Sequence, residues 1–305
     1  MGAPFFRSAA AGRVIAVDRL RRIDHLLRRR PGGWAMPLRY AHWVLLGVLA
    51  PLVLIAFWPA YWGDLPHASL AFHIHGLTAS AWLLLVAAQS WTIHARRRIL
   101  HRAMGLAVFV AVPLFAAGGA LALHSMAVKY ATASHPFYAV FGPRLGLHDI
   151  VSTTALVAMV AAALRHRRHV ARHARYMVAT VLLVLPPIMA RLPIPVPPDL
   201  HPGELVGTGI ALTLFATARR DGRPFLIVAG VMTLEVILFE TVGASHPWAR
   251  AFAGIASLPP GPLALGAMAA AAAMLVLTWQ PPRRPASAGL HRAEAATARP
   301  LPPQR

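Results

Sequence analysis

The chain contains no cysteine and few acidic residues, and both shortages exclude classes of protein. Without cysteine there are no disulfides, thiolate metal sites, iron–sulfur clusters or cysteine nucleophiles. Only 10 of 305 residues are Asp or Glu, against 30 Lys or Arg, so the net charge is +20. Charged residues make up 13% of the chain and hydrophobic residues 57%, a composition that argues against a soluble fold. The sequence also lacks a phosphate-binding loop, a dinucleotide fingerprint and a zinc-protease motif.

Long apolar stretches dominate what is present. A helix needs roughly 20 apolar residues to cross about 30 Å of hydrocarbon. Eight stretches approach this length, and they lie near residues 41–62, 69–93, 103–127, 147–165, 176–192, 204–219, 224–243 and 262–280. They lack the alternating period of barrel strands, and only complete helices or closed barrels can span lipid. We therefore predict an all-α, polytopic transmembrane helical bundle with about eight spans.

The basic residues show how such a bundle would be oriented. All but Lys129, Arg144, Arg191 and Arg250 lie beside the same ends of the apolar stretches or in the two tails. The positive-inside rule then places both termini in the cytoplasm. Because the charge is confined to short loops and tails on one side, we expect anionic phospholipid as its partner, and no nucleic acid.

The chain divides into three parts by composition. Residues 1–40 form a basic cytoplasmic tail, in which apolar residues at helical spacing are consistent with an interfacial helix and equally with a disordered segment. Residues 41–280 form the transmembrane helical domain. Residues 281–305 are rich in Pro, Ala and Arg, which predicts a disordered basic tail.

Histidines provide the first chemical signal, because imidazole is costly in lipid unless it binds a ligand, forms a hydrogen bond or faces water. Among 16 histidines, His75 and His148 lie near the outer starts of the second and fourth spans, and His101 and His173 near the inner starts of the third and fifth. If the second helix faces the fourth and the third faces the fifth, these residues form two pairs. Two facing imidazoles are what bis-histidine ligation of a b-type haem requires. The alternative is that these histidines face headgroups or loops.

Two glycines accompany these histidines. Gly76 follows His75, and Gly105 lies one turn beyond His101. A missing side chain would let a flat macrocycle approach the helix. Ordinary packing of small residues between membrane helices explains the glycines equally well.

Two stretches of sequence carry a resemblance. The first is HGLTASAWLLLVAAQSWTIHARRRILHRAMG, from His75 to Gly105, and the second is HARYMVATVLLVLPPIMAR, from His173 to Arg191. Together they resemble an uncharacterised family of bacterial multi-spanning membrane proteins with His-Gly, Leu-His-Arg-x-x-Gly and His-x-Arg-x-Met motifs. The resemblance implies a multi-pass protein of the bacterial inner membrane.

More distantly, histidines on four consecutive spans resemble the transmembrane dihaem cytochromes b. That resemblance covers spans two to five and implies one or two haem b groups, with iron bound by His75 with His148 and by His101 with His173. If His148 is incidental, His124 is an alternative outer ligand, or only the inner haem exists. Gly76, Gly105 and Arg191 would then contribute to cofactor binding, Arg191 through the haem propionates. The last three spans have no counterpart in those cytochromes.

Acidic residues within the spans suggest a second kind of site. Glu235 lies in the middle of the seventh span, and Glu240 lies a little over one turn further out. A carboxylate at such depth is a functional hypothesis by default, and we expect Arg191 to pair with it, joined by Arg144 and Asp149. This group would carry protons, hold a quinone or an anionic substrate, or bind haem propionates. An inter-helix ion pair without further function is the alternative.

Two functions therefore remain from the sequence. In the first, the protein is a b-type cytochrome that transfers electrons across the membrane, with a quinone or another redox partner and without covalent catalysis. In the second, it is a cofactor-free transporter or sensor in which Glu235 and Arg191, with Glu240 and Asp149 and a fifth span broken by Pro186 and Pro187, form a solute or proton path. The remaining alternative is an accessory or structural membrane protein. The sequence does not determine the oligomeric state.

Overall fold

The computed structural model describes residues 38, 40–194, 200–218 and 221–279. The predicted interfacial helix and both predicted tails lie outside these residues, apart from positions 38 and 40. Every regular element in the described part is a helix, and none is a strand. The helices are α1 (Ala41–Phe57), α2 (Leu70–His94), α3 (Arg98–Gly105), α4 (Val108–Ala131), α5 (Pro136–Arg165), α6 (Val170–Leu182), α7 (Leu185–Met189), α8 (Pro202–Ala218), α9 (Arg223–Glu240), α10 (His246–Ile255) and α11 (Pro260–Thr278). A short 3₁₀-helix, Trp62–His67, lies between α1 and α2.

Four of these helices are long and apolar enough to cross a membrane, namely α2, α4, α5 and α11. Their surfaces have the character of lipid-facing helices, since large apolar side chains such as Leu77 and Leu277 are 72% and 83% exposed. A protein in water rarely exposes apolar surface on this scale. The protein is thus an all-helical chain whose long helices are compatible with an integral membrane protein.

Proline explains two irregular helices. Pro51 has no N–H to donate back along α1, and the preceding turn, Leu45–Leu49, widens to a π-helix. Pro186 and Pro187 stand at the start of α7, and Leu183 and Val184 separate that short helix from α6. These prolines interrupt the fifth apolar stretch, near residues 176–192.

Four helices form the centre of the bundle. α2 packs against α4, α4 against α5, α5 against α6, and α6 lightly against α2. The diagonal pairs, α2 with α5 and α4 with α6, do not pack closely. The second and fourth spans therefore lie opposite each other across the interior of the bundle, and so do the third and fifth. Side chains occupy the interior between them.

The remaining helices surround this centre. α8 and α9 pack on each other, α9 also packs on α5 and α6, α7 packs on α8, and the alanine-rich α11 packs on α4 and α5. We define the inner end of the bundle by the loops at residues 95–97 and 166–169. The outer end carries the loop at residues 132–135 and the short helix α10. Phe252 of α10 is fully buried at the outer end, in a notch beside Gly142 and Gly146 of α5.

Helix boundaries differ from the sequence prediction in three places. α5 begins at Pro136, eleven residues before the predicted start, so His148 lies well inside the helix. The stretch near 103–127 is two helices, because the chain turns between the short, arginine-bearing α3 and the long α4. The helix α10 was not predicted, since its ten residues are too short to give a span-like signal.

Candidate functional site

The inner pair of histidines comes together at the inner end of the bundle. His101 lies on α3 and His173 near the start of α6, and the two rings interact electrostatically. Both side chains are partly buried. Burial lowers the pKa of His101, and the charge of His173 lowers it further. A neutral imidazole, the form that binds a metal, is therefore favoured at position 101.

The neighbouring backbone orients His173. Its Nδ1 lies 2.9 Å from the carbonyl oxygen of Ala163 on α5, so an Nδ1–H donates to that oxygen. The lone pair is then on Nε2, the atom that faces away from α5. Metal-binding histidines usually donate their other ring nitrogen to a carbonyl or carboxylate in this way. The ring is thus oriented as an iron ligand requires.

His101 is held by α2. Its Nδ1 lies 3.4 Å from the hydroxyl of Thr92 and against the side-chain amide of Gln89. The backbone carbonyl of Gln89 also accepts a hydrogen bond from the ring. In the orientation of Gln89 described below, its amide nitrogen donates to this Nδ1, which leaves the ring proton on Nε2. For His101 to bind iron through Nε2, the proton must instead lie on Nδ1, where the hydroxyl oxygen of Thr92 can accept it.

Gln89 was part of the recognised motif but had no predicted role. Its amide oxygen accepts from the backbone N–H of Gly105 at 2.9 Å, and its amide nitrogen donates to the carbonyl of His101 at 3.1 Å. The side chain therefore ties the middle and the C-terminal end of α3 to α2. A Cβ on Gly105 would meet only this amide, at 3.9 Å, so Gly105 is not tightly packed.

The outer pair faces the same interior but is held differently. His75 and His148 lie 19 and 17 residues before the inner ends of α2 and α5, which puts both roughly 25 to 28 Å above those ends. Both rings interact electrostatically with Arg191. Nδ1 of His75 is buried without a hydrogen-bond partner, and Nδ1 of His148 is 3.8 Å from Glu204 Oε1. Neither outer ring has the orienting hydrogen bond that His173 has.

The glycine that allows close helix packing near His75 is Gly118 and not Gly76. A Cβ on Gly118 would lie 2.6 Å from Thr78 Oγ1 and 3.1 Å from His75 Cα, so α4 and α2 approach closely there. A Cβ on Gly76 would meet the ring of Tyr61 at 3.7 Å, an ordinary contact outside the bundle interior. His124, the alternative outer ligand, has its Nε2 2.9 Å from the carbonyl oxygen of Leu258, beside the start of α11.

Arg191 does not pair with Glu235, and that prediction is wrong. The guanidinium donates to the carbonyl of Pro187 at 2.8 Å and lies over the ring of Phe57 at 4.9 Å. Its electrostatic partners are Asp149 and Tyr138. Because α7 ends two residues before Arg191, the side chain folds back on its own helix and reaches α5, and does not extend to α9.

Glu235 is left without a partner. It is 1% exposed on α9, and neither carboxyl oxygen has a hydrogen-bond partner within accepted geometry. The hydroxyl of Ser152 lies beside it but donates, at 3.4 Å, to the carbonyl of Leu183. The groups that interact with Glu235 electrostatically are two further carboxyls, Glu204 and Asp149.

Glu240 pairs with a histidine that had no predicted role. His201 Nε2 lies 2.9 Å from Glu240 Oε1 at the outer end. Glu204, on the first turn of α8, was also missed. The sequence could have indicated Glu204 as a candidate, because it is an acidic residue within the apolar stretch 204–219. No group of three or more metal-binding side chains occurs within the described ranges, so the two histidine pairs offer at most two protein ligands each.

Comparison of the chain with models of protein families, with curated proteins and with solved structures gave no match.

Proposed function

We propose that this protein is a membrane-embedded b-type cytochrome that binds one haem between His101 and His173. The observation that carries the proposal is that these two histidines, from helices that do not pack closely on each other, interact at the inner end of the bundle. Nδ1 of His173 donates to the Ala163 carbonyl of α5, and Nδ1 of His101 lies 3.4 Å from the Thr92 hydroxyl of α2. The haem would supply one-electron chemistry, and the protein would transfer electrons without covalent catalysis.

The chain's own residues have limited tasks in this proposal. The Ala163 carbonyl keeps the proton of His173 on Nδ1, and Gln89 together with Thr92 fixes the position of His101 relative to α2. The partner would be a quinone or another redox carrier that approaches from the membrane or the inner end. A second haem between His75 and His148 would need orienting hydrogen bonds that these rings lack, so we assign the haem to the inner pair.

Optical spectroscopy tests the proposal. The full chain, expressed with added haem precursor and purified in detergent, should show a Soret band and, when reduced, an α band at one haem per chain. Both bands should be lost in His101→Ala and in His173→Ala. His169→Ala is the matched control, because His169 is exposed in the same inner loop, four residues before His173. A colourless parent protein, or bands that survive both substitutions, would refute the proposal. Two haems per chain would assign a second one to the outer pair.

A cofactor-free transporter or sensor is the second candidate, and the unpaired Glu235 is the observation that favours it. Buried acids of this kind occur along proton and solute paths in membranes. A colourless protein with pH-dependent uptake of a solute into vesicles, lost in Glu235→Gln, would support this function over the cytochrome.

We also propose a membrane placement for either function. The chain would cross the inner membrane of a bacterium eight times, by α1, α2, α4, α5, α6 with α7, α8, α9 and α11. Arginines concentrate in the inner loops near residues 96–102 and 165–175, which favours cytoplasmic inner loops and cytoplasmic termini. The same arginines would contact anionic phospholipid headgroups.

A further inference from the structure

The outer half of the bundle contains a row of titratable side chains that the proposed haem does not use. The row begins at Glu240, whose side chain is 47% exposed, and continues to His201, whose side chain is 10% exposed. It ends at Glu235, which is 1% exposed and about 8 Å below the outer end of α9 by helical rise. The row therefore runs from a half-exposed carboxyl group at the surface to a buried one in the interior.

Each step in this row is a contact or an electrostatic interaction. The Glu240 carboxylate and the His201 ring are 2.9 Å apart. His201 interacts electrostatically with Glu204 and with His148. Glu204 Oε1 lies 3.8 Å from His148 Nδ1, a gap that one water molecule or a side-chain rotation closes. Glu204 in turn interacts with Glu235.

The backbone holds the middle of the row in place. His201 has φ of 46°, a left-handed conformation that costs a non-glycine residue about 1 to 2 kcal/mol. Two residues later, Gly203 lets α8 approach the backbone of Pro186 so closely that an added Cβ would lie 2.3 Å from Pro186 Cα. This approach directs Glu204 toward α5, where His148 lies.

The surroundings of Glu235 identify what it binds. α9 packs against α5, α6 and α8. α8 presents Glu204 and α5 presents Asp149, both of the same sign as a Glu235 carboxylate. The basic and imidazole side chains of α6, which are Arg172, His173 and Arg175, lie at its inner end. Among the described residues, the one donor beside Glu235 is the Ser152 hydroxyl of α5, which donates to the carbonyl of Leu183. A carboxylate with no cation and no hydrogen bond of its own is stable in an apolar interior only when it carries a proton.

We infer that Glu235 binds and releases a proton that reaches it from the outer surface through His201 and Glu204. The ligand is the proton itself, taken from water at Glu240 and passed inward by one carboxyl and imidazole after another. No electron or second substrate takes part. The inference does not depend on the haem at the inner pair, and a protein that binds no haem would not contradict it.

Infrared difference spectroscopy of the full chain in lipid tests this inference. A protonated carboxyl has its own carbonyl-stretching band, and the band of Glu235 should be lost in Glu235→Gln and displaced in Glu235→Asp. In Glu204→Gln the band should exchange with deuterated buffer at least about tenfold more slowly, because a relay group is missing. His201→Asn should slow the exchange in the same way.

The matched control is Asp64→Asn, which removes a carboxyl from the outer end without touching the row, since Asp64 contacts His67. It should leave both the band and its exchange rate unchanged. Thermal melts of all variants confirm that each is folded, and Glu235→Asp keeps the test decisive if Glu235→Gln does not fold. A spectrum of Glu235→Gln identical to that of the parent would overturn the inference. So would exchange in Glu204→Gln as fast as in the parent.

Discussion

Three glycines on one helix allow the packing of α8 to be tested quantitatively. Gly203, Gly207 and Gly209 all lie within α8, but an added Cβ would meet different surroundings at each. At Gly203 it would lie 2.3 Å from Pro186 Cα and 3.0 Å from both the nitrogen and the oxygen of that residue. At Gly207 it would meet the end of the Met232 side chain at 2.5 Å, and at Gly209 it would meet nothing within 4 Å.

These distances predict an order of stability for the three alanine variants. Alanine favours a helix over glycine by about 1 kcal/mol, and this gain applies at all three positions. At Gly203 the clash is with backbone, so α8 must move by roughly 1 Å to restore an ordinary contact of 3.5 Å. Such overpacking costs about 1 to 3 kcal/mol, and we expect Gly203→Ala to be destabilised by about 1 to 2 kcal/mol net.

The other two variants serve as internal controls. Met232 is flexible and can move aside, so Gly207→Ala should remain within about 1 kcal/mol of the parent protein. Gly209→Ala should be more stable than the parent by up to about 1 kcal/mol. The free energy of unfolding can be measured by titrating detergent micelles with dodecyl sulfate and following the fluorescence of the eight tryptophans.

The result that would refute this reasoning is a Gly203→Ala protein as stable as Gly209→Ala. That outcome would mean that α8 does not approach α7 through Pro186. Glu204, the next residue, would then not be directed toward His148. A stable Gly203→Ala protein would therefore also remove the physical basis for the placement of Glu204.

Two further predictions concern the orientation of the chain and an exposed ion pair. Because the sequence has no cysteine, single cysteines can be introduced without background labelling. Ser134→Cys should react with a membrane-impermeant maleimide on intact spheroplasts, and Arg97→Cys should react only after permeabilisation. The reverse pattern would contradict the proposed orientation. At the outer end, the hydrogen bond to Asp64 raises the pKa of His67, and the charge of Asp64 adds to the effect. The contact should therefore stabilise the fold below the ordinary histidine pKa and lose its effect as pH rises through the raised value. An NMR titration should show a lower His67 pKa in Asp64→Asn, and an unchanged value would exclude the pairing.

The sequence by itself determined the helical class, because long apolar runs without alternation have no other way to satisfy their backbone in lipid. It also determined the break before Pro186 and Pro187, since proline acts through its missing N–H and its ring wherever the chain goes. The positions of His101 and His173 at the inner ends of their helices followed from helical rise and the basic loops beside them. All of these are local properties.

The tertiary structure decided which side chains meet. The sequence predicted that Arg191 pairs with Glu235, yet the end of α7 turns Arg191 toward Pro187 and Asp149. Glu235 instead interacts with the carboxyl groups of Glu204 and Asp149. The close approach of α2 and α4 lies at Gly118 and not at Gly76, because the rotation of each helix about its axis depends on all its neighbours. The helical periodicity of the sequence places a residue on one face of its helix and at a certain depth. The partner of that residue is decided only when several helices pack together and fix the direction of that face.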